Sequence, residues 1–232
     1  MDISFTVVLI FHIAAGFTAF VAAPVAMAVK KGGQRHRVFG RVFFWCMAVV
    51  SSTGFIMSVL HPNVFLFAVS GFSFYMVASG YRWVIRKQVK SIREVPWIDW
   101  VLVGMASVFN LFLFLFGLLA ILDNPVGAFG YIAAVFGLIG TVLVIGNIRG
   151  FISPPEEKYA WLLNHMGGMI GGYIATISAF SAVNFHFFPA LIQWLWPTII
   201  GVPLLLTWIN YYKRKLSQVR KVSKVPPSGK QD

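Results

Sequence analysis

Five histidines are the residues of this chain best able to do chemistry in an apolar setting: His12, His36, His61, His165 and His186. Neutral imidazole is the cheapest titratable side chain to bury and the commonest metal ligand. Helical residues at offsets of 3, 4, 7, 11 and 18 share a face. On that rule His12 shares its face with Gly16, Ala19 and Ala23. His36 precedes Gly40 by one turn, in a series that continues through Met47 and Gly54 to His61. His165 aligns with Gly168, Gly172, Ala175 and Ala179, and through them with His186. A flat macrocycle held between helices needs axial imidazoles, with Gly or Ala where the ring edge passes. The candidate cofactor ligands are therefore His165, His36 and His12, with Gly168, Gly172, Gly40 and Gly16 giving close approach, and haem b is the candidate cofactor. His12, His61 and His186 could in principle hold Zn or Cu, although no His-x-x-x-His pair supports a metal locally. From His165 to His186 a helix climbs about 32 Å, which favours one centre over a stacked pair.

A plain packing explanation stands beside this. Small residues let transmembrane helices approach closely, and Gly168-xxx-Gly172 is a ready packing seam. A histidine near a helix end can cap carbonyls or reach headgroups. The densest polar segment runs from Lys30 to Arg41, where Arg35, Arg37 and Arg41 follow a Gly-Gly turn and could bind a phosphate or a lipid headgroup.

The elements that must position these residues are membrane helices. The 232 residues are 58% hydrophobic and 11% charged. Hydropathy gives seven apolar spans, at about 3–29, 39–60, 64–85, 97–122, 125–147, 160–185 and 190–212. The expected fold is an all-α seven-transmembrane bundle, followed by a disordered basic tail over 213–232. All 19 Lys and Arg fall at or beside the first, third and fifth links and in that tail. The links around His61, Asp123 and His186 hold none. Cytoplasmic loops retain cations, so the N-terminus is expected outside and the C-terminus in the cytoplasm, in a bacterial inner membrane.

Charge placement also narrows the partners. The formal charge of +12 sits beside helix ends, where topology and anionic lipid headgroups account for it, so no nucleic-acid role is expected. The single Cys46 excludes an intramolecular disulfide and a thiolate zinc cluster. No charged residue is expected deep within a span, which disfavours a retinal protein, an ion-coupled transporter and an intramembrane Ser-His-Asp site. Glu156 or Glu157 could orient His36 or His165 at the inner face. Asn110, in mid-span, is expected to bond across helices.

Several stretches carry a family likeness. These are His12-Ile13-x-x-Gly16, Lys31-Gly32-Gly33 followed by His36-Arg37-x-x-Gly40-Arg41, Asn164-His165-Met166-Gly167-Gly168, and Trp194-Leu195-Trp196-Pro197. Over about residues 10 to 205 the chain resembles the bacterial membrane family called domain of unknown function 2306. The resemblance implies a small polytopic protein and points to His12, His36 and His165. It brings no established activity. Three classes of function stay open: a cofactor-binding redox or accessory protein, a small-molecule or lipid binding or transport protein, and a structural subunit acting with a membrane partner or a second copy of itself.

Overall fold

The computed structural model describes residues 3–223, the side chains of 219–223 aside. Seven helices follow in order: α1 Ile3–Ala28, α2 Gln34–Leu60, α3 Val64–Ile85, α4 Trp97–Asp123, α5 Ala128–Ile152, α6 Ala160–Asn184 and α7 Ala190–Ser223. A short 3-10 turn, Ile92–Glu94, lies between α3 and α4. All seven are long and apolar enough to cross a membrane, which marks an integral membrane protein. The helical form follows from the solvent. In lipid a chain must satisfy its backbone polar groups internally, and an α-helix does so within one segment.

α3 is the central element. It packs on α2, α4, α5 and α6, whereas α1 packs on α2 and α6, and α7 on α5 and α6. Small residues set the closest seams. A Cβ on Gly137 of α5 would overlap the Phe114 backbone of α4, and one on Gly168 of α6 would sit 2.5 Å from the Gly80 Cα of α3. Between α3 and α5 the rings of Phe72 and Phe136 stack at 5.3 Å.

Several boundaries differ from the hydropathy reading. α2 starts at Gln34, five residues before the apolar span, because Gln34-Arg35-His36-Arg37 is helical without being apolar. His36 is thus in the first turn of α2, not in the link. α5 is displaced toward its C-terminus, ending at Ile152. α7 continues to Ser223, through the first half of the segment read as a disordered tail; residues 224–232 lie outside the described ones. α6 begins at Ala160, so Glu156 and Glu157 precede it.

Candidate functional site

The end of α1 shows why α2 folds back as it does. The last carbonyls of a helix have no partner within it. Two of them are met by the following segment: the Ala26 carbonyl accepts from His36 Nδ1 at 2.9 Å, and the Met27 carbonyl accepts from the Lys31 ammonium. Gly32 makes the reversal with φ of +72°, a left-handed backbone that other residues adopt at a cost. The tight turn therefore delivers His36 to the C-terminal end of α1.

His165 arrives from the opposite side. α6 crosses α3 at Gly168 and Gly80, close enough that a side chain on either would strike backbone. That approach brings the Gly80 carbonyl within 2.9 Å of His165 Nδ1. The same carbonyl keeps a second lone pair for its own helix.

The two imidazoles then face the same space. Their ring centres are 6.2 Å apart and their planes cross at 77°. A carbonyl can only accept, so Nδ1 carries the proton in both rings and Nε2 of each keeps its lone pair. Metal-ligating histidines commonly give their other ring N–H to a carbonyl or carboxylate in this way. Both rings line a cavity of about 740 Å³ at the basic end of the bundle. Its inner wall is apolar, with Ala23, Phe43, Met169 and Tyr173; its rim carries Lys31, Arg37 and Arg41. Burial lowers the Lys31 ammonium below its usual range.

Not every predicted residue comes here. Of the four candidate glycines, Gly40 lines the cavity, and nothing lies within 4 Å of where its Cβ would be. Gly168 and Gly172 instead face α3 at Gly80 and Val77, and Gly16 faces Val50 of α2; these three serve helix packing. Arg37 and Arg41 reach the rim, and Arg35 does not.

The other histidines stay apart. His12 is remote from the pair, with Nδ1 2.9 Å from Thr53 Oγ1. The Thr53 hydroxyl donates to the Val49 carbonyl at 2.7 Å, so the imidazole is the donor to Thr53. His61 meets Phe5 edge-on at 4.4 Å, and His186 is exposed. Among the described residues no three His, Cys, Asp or Glu come together to hold a metal, so the outer histidines do not form one centre. Glu156 and Glu157 are exposed, and the two cavity histidines take carbonyl partners instead.

Sequence reasoning missed one polar cluster at the same end. Arg82 grips both carboxylate oxygens of Asp99, at 2.9 and 2.5 Å. Arg86 Nε lies 3.4 Å from the same carboxylate, near enough for an ion pair but not aligned as a hydrogen bond. The Arg86 guanidinium lies over the Trp83 and Phe151 rings at 4.7 and 4.4 Å. Burial lowers its pKa, and the Asp99 charge opposes that shift. Asn147 accepts from Trp83 Nε1 at 2.7 Å and donates to the Tyr75 hydroxyl at 2.9 Å. The available signal was an acid in the first turn of α4, across a short link from the two arginines at the end of α3. Asn110, expected to bond across helices, is instead fully buried against Gly140 with neither of its amide atoms hydrogen-bonded.

Comparison with family models, with curated proteins and with solved structures gives no match for this chain.

Proposed function

We propose that this integral membrane protein binds one haem b at its cytoplasmic end, where His36 and His165 would hold its iron. The observation that carries this reading is the pair itself: two imidazoles on one cavity, each with Nδ1 engaged by a carbonyl. A metal–imidazole bond is about 2 Å, so two imidazoles sharing one metal would have ring centres no more than about 6 Å apart. The observed separation is 6.2 Å. Two ligands without a third suit a metal that brings its own in-plane nitrogens, whereas zinc takes three or four protein ligands.

The rest of the cavity matches the group's other parts. Arg37, Arg41 and Lys31 can pair with its two carboxylates, and the aromatic and aliphatic wall suits a flat apolar body. Bound haem would supply one-electron chemistry. His36 and His165 would hold its iron, Lys31, Arg37 and Arg41 would neutralise its acids, and Phe43, Met169 and Tyr173 would wall its apolar body. The placement of the cations supports an outside N-terminus and a bacterial cytoplasmic membrane.

Met27, Met166 and Met169 line the same cavity and give a second reading, a Cu(I) site of imidazoles and thioethers. Titration of the purified protein with haemin separates them. One haem per chain, with a bis-imidazole spectrum lost in His36→Ala and in His165→Ala, supports the haem site. Binding that ignores both substitutions refutes it, and Cu(I) binding in its place supports the second reading.

A further inference from the structure

The cavity has walls from two helices that do not pack together. Ala23, Ala26 and Met27 of α1 form one side, and Trp208 and Tyr212 of α7 the other. α1 packs along α2 and α6, and α7 along α5 and α6, with no packed seam between them. Farther from the basic end, α1 closes onto α6 through Phe20, whose ring lies 4.9 Å from Phe180 and 6.1 Å from Tyr173. Beside the cavity itself the α1–α7 gap is spanned by Lys31, whose ammonium lies 5.4 Å from the centre of the Trp208 ring. That ammonium is also held by the Met27 carbonyl at the end of α1.

We infer that the cavity fills sideways from the inner leaflet, through a mouth between α1 and α7 with Lys31 and Trp208 at its sill. This rests on the proposed cofactor reading and deepens it. The ligand class follows from the route. It is a membrane-dissolved amphiphile with a flat apolar body and an acidic end. The apolar body passes between α1 and α7 within the hydrocarbon. The acidic end travels at headgroup depth, where Lys31 meets it first and Arg37 and Arg41 next. An acid arriving at Lys31 competes with the Trp208 ring for the ammonium, so the contact that spans the mouth is the one the ligand loosens.

The test uses the full-length protein in vesicles containing anionic lipid. Lys31→Cys and Trp208→Cys are combined in a Cys46→Ser background and bridged with a bifunctional thiol reagent. Haemin is supplied from donor vesicles. Bridging before loading should slow uptake by about tenfold or more, while bridging after loading should leave bound haemin in place. Uptake unchanged by the bridge overturns the lateral route, since the ligand then enters from water. If the protein with Lys31 and Trp208 intact takes up no haemin from the donor vesicles, the haem reading fails, and the mouth is read with spin-labelled stearate instead. An immobilised stearate signal that the bridge abolishes supports the mouth; no immobilised signal overturns it.

Discussion

A histidine that gives its Nδ1 proton to a main-chain carbonyl has one nitrogen left to offer. His36 and His165 both do this on the same cavity, and His12 gives its own proton to Thr53. His12 does not line that cavity, so their substitutions should differ. His36→Ala and His165→Ala should each abolish stoichiometric haem binding, while His12→Ala should leave it intact; haemin titration of the three variants checks this. The arginine cluster makes a separate demand. Asp99 is 2% exposed between Arg82 and Arg86, so Asp99→Asn leaves cations in apolar surroundings without their counter-charge. Breaking such a pair costs about 3 kcal/mol or more. A clear fall in the melting temperature in detergent is expected, with haem stoichiometry unchanged in protein that stays folded. At this scale the sequence singled out His12, His36 and His165 as candidates. It did not show that His36 and His165, far apart in the chain, would meet, because that depends on a turn at Gly32 and a crossing at Gly80.

The α3–α6 crossing is the element that aims His165. A methyl group on Gly168 would lie 2.5 Å from the Gly80 Cα, whereas the nearest atom to one on Gly167 is 4.0 Å away. Gly168→Ala should therefore part the helices, weaken the Gly80–His165 bond and cost about 1–3 kcal/mol, with haem affinity falling alongside. Gly167→Ala should be nearly silent in both melting temperature and haem titration. The Gly168-xxx-Gly172 spacing announced a packing seam in the sequence, but a seam does not name its partner, and α3 carries no matching motif around Gly80. Helix ends were harder to read than helix centres. Hydropathy reports contact with lipid, so it misses the polar first turn of α2 and the basic last turns of α7.

Across the whole molecule, the links rich in Lys and Arg lie at the same end of the helices as the cavity, and the links without them lie at the other end. Single cysteines in a Cys46→Ser background report which side each end faces. Asp123→Cys should react with an impermeant thiol reagent in intact cells, and Lys87→Cys only after permeabilisation; the reverse pattern would invert the proposed orientation. The seven helices were legible because each apolar run exceeds the membrane thickness. Their neighbours were not, since lipid-facing and helix-facing surfaces are both apolar. The lack of a packed seam between α1 and α7 is therefore visible only in three dimensions.

The most direct test of the cofactor site is the optical spectrum of the protein purified from its native membrane, oxidised and then reduced with dithionite, with iron and copper measured on the same sample. A Soret band that sharpens on reduction, about one iron per chain, and loss of both in His165→Ala are expected. A spectrum without a Soret band, from protein that also fails to take up added haemin, would contradict the haem site.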